Sequence, residues 1–259
     1  MTNMKTFLLS CIIGTTFIAT SCSSENEVST NTNEGSIHLA VTTDAKFKPN
    51  TRAVNENSYA DVNNYTVQII NSSGNVEKEF IYNEAPEKIN LNNGSYTLKA
   101  FYGEDSNASR KSFYVEGTNT FAVEGNDKSI SVDCTPIHGK AVVNFAEEMA
   151  TYFSDYSVVY ETVALTTSGS TATWNKMDTE PWYLKVNKKG ETIKATIHVT
   201  RKSDNKSSSV EKTYALSPNK SWTLNIAPQD NNGNLGITIT IDESTNDHEI
   251  DIVVPSEWL

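Results

Sequence analysis

Apolar residues alternate with polar or small ones through most of the chain from residue 36 onward. The stretches 37–41, 65–69 and 96–102 each place an apolar side chain at every second position. A helix would need apolar residues three and four positions apart, so this period of two predicts β-strands. Only residues 147–153 have a pattern typical of a short helix. The alternation therefore predicts an all-β protein.

Turn residues divide the first half of this pattern into about seven short strands. Ser72–Gly74 predicts one turn, and Asn92–Gly94 predicts a hairpin between residues 89–91 and 96–102. Residues 113–115 and 120–123 are predicted as two separate strands. Short strands with a turn about every 8–12 residues are typical of an antiparallel β-sandwich.

The pattern begins again after Pro136 and Gly139, which predicts a second β-sandwich. Its strands are predicted at 141–145, 156–163, 182–186, 192–200, 210–216, 222–226, 237–241 and 250–254. The halves also resemble each other, since 65–67 (Tyr-Thr-Val) resembles 156–158 (Tyr-Ser-Val), and 91–98 resembles 216–224. These similarities predict duplicated domains over 36–134 and 135–259. Turns of similar chemistry that arose independently are the alternative.

The N-terminus carries Lys5, an apolar run over residues 7–18 and then small residues before Cys22. The run is too short to cross a bilayer as a helix, and the whole pattern predicts a secretory signal peptide over residues 1–21. It resembles a bacterial lipoprotein signal, which implies that Cys22 is acylated, with palmitate among its lipids, and becomes the first mature residue. An ordinary signal peptide with an incidental cysteine is the alternative.

Residues 22–35 are rich in Ser, Asn, Thr and Glu, which predicts a flexible tether because so few apolar groups cannot offset the entropy of ordering. Residues 23–27 are similar to the short acidic stretches that direct Bacteroidetes lipoproteins to the outside of the outer membrane. The similarity implies a protein anchored in the outer membrane and facing the cell exterior. A plain solvated linker would have the same composition.

Charge and cysteine content exclude several classes of function. The formal net charge of −11 argues against nucleic-acid binding, which needs clustered Lys and Arg. Apart from Cys11 in the signal and Cys22, the chain has only Cys134, so it can form no intramolecular disulfide and no cysteine zinc site. Cys134 ends an alternating run and is predicted to be a half-buried small apolar residue.

The sequence offers no recognisable catalytic or metal-binding pattern. The four histidines lie far apart, and neither a glycine-rich phosphate loop nor a nucleophile elbow is present. Asp230, Asn232 and Asn234 have the spacing of a calcium loop, but Leu235 and Ile241 stand where that loop needs Gly and Glu. An Asn/Gly-rich connection before the strand at 237–241 is therefore predicted, and weak calcium binding is the alternative. We therefore predict a protein that is not an enzyme and has no cofactor and no metal.

Aromatic residues suggest a different kind of function. Trp182 and Trp222 lie in alternating strands and are predicted to pack in the core, whereas Trp174 follows the Thr/Ser-rich segment 166–173 and is predicted to be exposed. An exposed indole can stack on a sugar ring. A carbohydrate-binding surface lipoprotein of a glycan-uptake system is therefore the alternative function.

Several segments together resemble known proteins. They are Tyr-Thr-Val-Gln-Ile at 65–69 with Ser-Gly at 73–74, Leu-Asn-Asn-Gly-Ser-Tyr-Thr-Leu at 91–98, and Val-Asp-Cys at 132–134 leading into Lys-Ala-Val-Val-Asn-Phe at 140–145. With the lipoprotein signal, they resemble a Bacteroides lipoprotein family described as a domain of unknown function and, more distantly, the fimbrillin-like pilus and adhesin proteins. The resemblance spans nearly the whole chain. It implies tandem transthyretin-like sandwiches at the cell surface, a role in adhesion or fimbria assembly, and fimbrial subunits, host molecules or glycans as partners.

In fimbrillin-like proteins, cleavage after an arginine that follows the first strand can free that strand. Here Arg52 and Ala53 lie in the polar stretch 44–56, directly after the predicted first strand at 36–43. The resemblance therefore implies proteolytic processing between Arg52 and Ala53. A plain loop that joins two strands is the alternative.

Overall fold

The computed structural model describes residues 33–47, 54–231, 234–243 and 252–254. Within these ranges the chain forms seventeen β-strands and three short α-helices, so the prediction of an all-β protein is confirmed. No helix in the described part of the chain is both long and apolar enough to span a bilayer. The predictions for Cys22, Arg52 and Ala53 concern residues that lie outside the described ranges.

The strands run almost without interruption from one end of the described chain to the other. They are β1 (Glu34–Thr43), β2 (Thr66–Asn71), β3 (Val76–Ile81), β4 (Ile89–Asn92), β5 (Gly94–Gly103), β6 (Ala108–Ser109), β7 (Tyr114–Val123), β8 (Asp127–Pro136), β9 (His138–Phe145), β10 (Phe153–Glu161), β11 (Ala172–Asn175), β12 (Trp182–Lys185), β13 (Glu191–Arg201), β14 (Ser207–Leu216), β15 (Ser221–Asn231), β16 (Asn234–Glu243) and β17 (Ile252–Val254). The helices are α1 (Glu56–Tyr59), α2 (Met149–Tyr152) and α3 (Val163–Thr167).

The strands form three sheets. The first has the order β3-β2-β5-β7-β8-β1-β4, the second β11-β10-β13-β14, and the third β17-β16-β15-β9-β12-β6. In the first sheet, β7 and β8 share only two residue pairs, Val115 with Pro136 and Glu116 with Thr135. Gly117 lies beside this seam, where a Cβ atom would be 2.4 Å from the Asp133 carbonyl oxygen. The close approach of the two strands therefore requires glycine.

The strand topology of the first half recurs in the second half. Strand β1 pairs antiparallel with β4 and parallel with β8, and β9 pairs antiparallel with β12 and parallel with β15. Likewise β2 lies between β3 and β5, and β10 lies between β11 and β13. The similarity of 65–67 to 156–158 falls on the equivalent strands β2 and β10. The similarity of 91–98 to 216–224 falls on strands that are not equivalent, so it reflects turn chemistry alone.

Three details of the predicted sheet were wrong. The sheets are not purely antiparallel, because β1 runs parallel to β8 over the eight pairs from Ser36–Asp127 to Thr43–Cys134. The turn Asn92–Gly94 is not a hairpin, since β4 pairs with β1 and β5 pairs with β2 and β7. Turn residues reverse the chain locally, but they do not decide which strand becomes the neighbour. The two strands predicted at 113–115 and 120–123 are a single strand, β7, preceded by Phe113.

Each half of the chain has its own hydrophobic cluster. The first cluster contains apolar residues from β1 to β8 together with Tyr183 of β12, and the second contains apolar residues from β9 to β16. Cys134 is fully buried in the first cluster and so is more enclosed than predicted. Trp182 and Trp222 pack, partly buried, against the second cluster, as predicted.

The short helices agree in part with the sequence. Helix α2 lies within the predicted segment 147–153. Helix α3 was not predicted, and its last two residues are the first two of the Thr/Ser-rich segment 166–173. Thr162 caps this helix by accepting a hydrogen bond from the Leu165 N–H at 3.2 Å, an interaction that stabilises helix starts.

Candidate functional site between the two cores

Two short strands, β6 and β12, link the two halves of the chain. Strand β6 lies between β5 and β7 in the sequence, yet it pairs with β12 of the third sheet, Ser109 with Tyr183 and Ala108 with Leu184. Ala108 packs against the second cluster, whereas Tyr183 belongs to the first. The two cores are therefore joined by an exchange of side chains, and the polar groups described below lie at this junction.

Four aromatic rings meet at the junction. Phe47, which follows β1, lies 5.0 Å from Phe113 and 5.4 Å from Tyr183 between ring centroids. Phe113 lies 4.9 Å from Tyr183, and Tyr59 of α1 stacks on Phe113 at 3.7 Å. Such contacts stabilise a cluster beyond the burial of area alone. We call the site that Phe113, Tyr183 and Lys140 form around Phe47, together with Tyr59 stacked on Phe113, the aromatic pocket.

A buried ion pair closes one side of the aromatic pocket. The Lys140 side chain is fully buried, and its Nζ lies 2.6 Å from Oε1 of Glu56, which is 6% exposed. The Tyr183 hydroxyl donates to the same Oε1 at 2.8 Å. Nζ also lies 5.8 Å from the centroid of the Phe47 ring, within the range of a cation–π interaction. The first residue of α1 is thus fixed to the first residues of β9.

Burial changes the proton affinity of these groups. Loss of solvent lowers the pKa of the Lys140 ammonium group, and the Glu56 carboxylate opposes that change. Burial also raises the pKa of the Tyr183 hydroxyl, and the negative charge of Glu56 adds to the effect. Tyr183 is therefore a hydrogen-bond donor throughout the physiological pH range. Among the described residues, the second carboxylate oxygen of Glu56 has no hydrogen-bond partner.

Residues on both sides of the segment 48–53 in the sequence meet at Lys140. Phe47 comes immediately before that segment, and Glu56 comes three residues after it. Both side chains contact Lys140. The predicted cleavage point between Arg52 and Ala53 therefore lies between two anchors that share one lysine.

Arg110 makes a second connection across the junction. Its guanidinium lies 4.9 Å from the ring centroid of Trp174 and 4.3 Å from that of Trp182. It also pairs with the Asp178 carboxylate at 2.7 Å and donates to the Thr173 carbonyl at 3.0 Å. A residue from the first half is thus enclosed by aromatic and acidic groups of the second half.

The prediction of an exposed ring at Trp174 was wrong. This side chain is 1% exposed and lies in the second cluster, with Arg110 over its face. Strand β11 pairs with β10 and turns the indole toward the core. The Thr/Ser-rich segment before it suggested a surface position, but α3 includes the first two residues of that segment, and β11, which includes its last two, is buried on one face. This ring is not available to stack on a sugar.

His138 forms a third connection at the start of β9. Its Nδ1 accepts a hydrogen bond from the Tyr114 N–H at 3.2 Å, and its Nε2 lies 2.7 Å from the Ser106 carbonyl oxygen. A carbonyl only accepts, so Nε2 carries the proton and the ring is neutral. Burial lowers the pKa of His138 from its usual value, although the Ser106 carbonyl opposes this change.

We predict that the free energy of unfolding falls as the pH decreases below about 6.5, the usual histidine pKa. Because the folded-state pKa of His138 is lowered, the unfolded chain binds the proton first, and the stability present above this pH is lost. The loss has a maximum slope of about 1.4 kcal/mol per pH unit. Urea unfolding between pH 5 and 7 would measure it. His138→Gln, which keeps one donor and one acceptor, should flatten the profile, whereas the exposed-site control His198→Gln should not. An unchanged profile in His138→Gln would contradict the prediction.

The junction also contains a cleft. A cleft of about 440 Å³ is lined by residues of both halves, among them Glu116, Asp133 and Ile137. Two of its charged residues, Asp105 and Lys185, pair with each other at 2.7 Å. In the described part of the chain, no three His, Cys, Asp or Glu side chains are placed to hold a metal ion.

Sequence reasoning missed Phe47, Glu56, Arg110, His138 and Lys140 as a group. The one available signal was Lys140, a charged residue directly before the apolar residues 141–143 of a predicted strand. Burial of β9 on two faces explains it, because Ala141 and Val143 face the second cluster while Lys140 reaches the aromatic pocket. No sequence pattern reveals that a strand is shared by two cores.

Comparison with known families identifies the chain. The model of a family described as Domain of unknown function (DUF4493) matches residues 33–256, which is most of the sequence. The chain belongs to this family. The match covers both halves and the whole junction of this DUF4493 chain, in agreement with the resemblance seen in the sequence. No curated protein gives a match.

Three solved structures share remote similarity with the DUF4493 chain. A candidate polysaccharide-binding protein (DUF1812) of Bacteroides thetaiotaomicron is 9% identical, with a TM-score of 0.46 over 88% of this chain and 100% of that one. A candidate adhesin of Bacteroides ovatus is 12% identical, with a TM-score of 0.46 over 84% and 95%. The fimbrial anchor protein Mfa2 of Porphyromonas gingivalis is 10% identical, with a TM-score of 0.42 over 81% and 98%. Similarity this remote transfers no role to any residue.

Proposed function

We propose that this chain is a non-enzymatic, lipid-anchored protein of the cell surface that acts in adhesion or in fimbria assembly. In this proposal residues 36–134 and 135–259 are two tandem transthyretin-like sandwich domains, and the lipid on Cys22 anchors the uncleaved chain to the outer membrane, before cleavage after Arg52 separates it from the rest. The lipoprotein signal, the resemblance to fimbrillin-like proteins and the repeated strand topology support the proposal.

The placement of β1 is the observation that carries the proposal. This strand lies between β4 and β8, and its side chains Ile37 and Val41 are buried in the first core. If cleavage after Arg52 released it, an eight-residue ladder on β8 and four residues of β4 would lose their partners. Unpaired backbone beside an apolar groove is the kind of site that accepts a strand from another chain. A strand donated by another subunit would restore both the ladder and the core.

N-terminal sequencing of the protein taken from intact cells tests this proposal, together with its oligomeric state after gentle extraction. We expect a mature chain that begins at Ala53 and a ladder of higher oligomers. Arg52→Ala should retain the N-terminus at Cys22 and abolish the ladder, whereas the control Lys46→Ala should change neither. A chain that still begins at Cys22 and is monomeric would overturn strand exchange.

The lipid anchor is tested separately. In the uncleaved Arg52→Ala chain, replacing Cys22 by Ala removes the thiol that would be acylated, so we expect the protein to move from the membrane fraction to the soluble fraction. Fractionation followed by immunoblotting measures this change. Cys11→Ala in the same chain is the matched control and should remain with the membranes. A Cys22→Ala variant that partitions like its Arg52→Ala parent would contradict the assignment.

The carbohydrate-binding alternative depended on an exposed aromatic ring at Trp174. Burial of that ring beneath Arg110 removes its support. The proposal therefore rests on adhesion or assembly alone.

A further inference from the structure

The segment after β1 is anchored independently of the strand itself. The ladder between β1 and β8 ends at Thr43, and the Asp44 N–H adds one more hydrogen bond to the Cys134 carbonyl at 3.1 Å. Asn219, in the second half of the chain, donates to the Asp44 carbonyl at 2.9 Å. Phe47 then enters the aromatic pocket and is 1% exposed. Residues 44–47 thus extend the attachment of β1 from the first core to the junction.

Apolar residues lie at alternate positions of this region, with the polar Thr43 as the exception. Positions 37, 39, 41, 45 and 47 carry Ile, Leu, Val, Ala and Phe, and these side chains are buried or packed against the first core. The aliphatic side chains at positions 37, 39, 41 and 45 pack in or against the first core. Phe47 differs from them, since its ring contacts Phe113, Tyr183 and the Lys140 ammonium group.

We propose that the aromatic pocket is the specificity site for the strand that replaces β1, and that it selects a strand with an aromatic side chain six residues after the residue that takes the place of Val41. This inference rests on the proposed function, because it concerns the partner of the same groove. The partner is an extended segment of another subunit with apolar residues at alternate positions. The pocket adds an aromatic requirement to that general pattern.

The walls of the pocket do not depend on Phe47 for their positions. Tyr59 stacks on Phe113 and accepts a hydrogen bond from its N–H at 3.3 Å. Tyr183 and Lys140 are both held by Glu56. When Phe47 leaves, these contacts remain and the pocket keeps its shape, so an incoming ring finds a formed site.

The chemistry of the pocket discriminates between side chains. An aromatic ring fills the space and presents its electron-rich face to the Lys140 ammonium group. A short aliphatic side chain leaves a cavity, which weakens packing. A basic side chain meets a buried positive charge and is repelled.

The test uses the full mature chain with Cys22→Ala and a unique protease recognition sequence placed within residues 48–53. After cleavage, fluorescent peptides with the sequence of residues 33–47 compete with the resident fragment, and fluorescence anisotropy measures their binding. We expect Phe47→Ala in the peptide to weaken binding by roughly tenfold or more, the effect of an emptied aromatic site. Phe47→Tyr should bind like the wild type, and so should the exposed-site control Lys46→Ala. Equal binding of the Phe47→Ala peptide would overturn the inference.

A second measurement separates failure of the pocket from failure of strand exchange. If no peptide enters the cleaved chain, strand exchange itself fails. The pocket is then tested by the urea concentration at which the resident fragment dissociates. Size-exclusion chromatography in increasing urea should show the fragment leaving a Phe47→Ala chain at a lower concentration than the wild type or Lys46→Ala. Equal retention would show that the pocket does not anchor this segment.

Discussion

Replacing Lys140 by Met is expected to lower the free energy of unfolding by about 3–5 kcal/mol. Methionine has nearly the length of lysine, so packing in the aromatic pocket is largely preserved while the positive charge is lost. Glu56 would then remain buried without its lysine, and the Tyr183 hydroxyl would still donate to Oε1. An uncompensated buried carboxylate is far more costly than the absence of both charges.

The double variant Lys140→Met/Glu56→Gln distinguishes this effect from a general loss of packing. Removal of both charges should restore most of the lost stability, because glutamine can still accept from Tyr183. Urea unfolding followed by circular dichroism measures all three proteins. The exposed pair Lys88–Asp127 is the control, and Lys88→Met should cost less than about 1 kcal/mol. A double variant as unstable as Lys140→Met would mean that the ion pair is not the cause.

The sequence predicted where the strands lie much better than which strands pair with each other. Period-two alternation predicted where β1, β5, β10 and β13 lie, because each strand buries one face and exposes the other. The parallel pairs β1–β8 and β9–β15 join strands far apart in the chain. Their pairing depends on how the sheets close around the cores, which local sequence does not encode.

The sequence did not predict the junction between the two cores, for a related reason. The burial of Lys140 and Glu56 and the partial burial of Arg110 depend on the contact between the two cores, which the sequence of a single strand or helix does not indicate. Phe47 lies in a polar stretch between Lys46 and Lys48, where nothing in the sequence indicates a buried ring. Its role follows only from the position of β1, which carries it to the aromatic pocket.

Replacing Trp174 by Ala is expected to lower the free energy of unfolding by about 3–5 kcal/mol, the usual cost of removing a buried aromatic side chain. The indole lies in the second cluster, and its loss would leave a cavity there. Arg110 would also lose one of its two aromatic contacts and keep the one with Trp182. Thermal or urea unfolding measures the effect, and Met177→Ala is the control, since Met177 is 82% exposed.

This prediction also decides between packing and sugar recognition at Trp174. A residue that binds sugar at the surface can be replaced with little effect on folding, whereas a core residue cannot. Arg110→Lys provides a further check, because lysine keeps the charge beside Asp178 but loses the planar group that stacks between the two indoles. We expect it to lose part of the stability that Trp174→Ala loses. A Trp174→Ala protein with the stability of the wild type would place the ring at the surface and restore the carbohydrate-binding alternative.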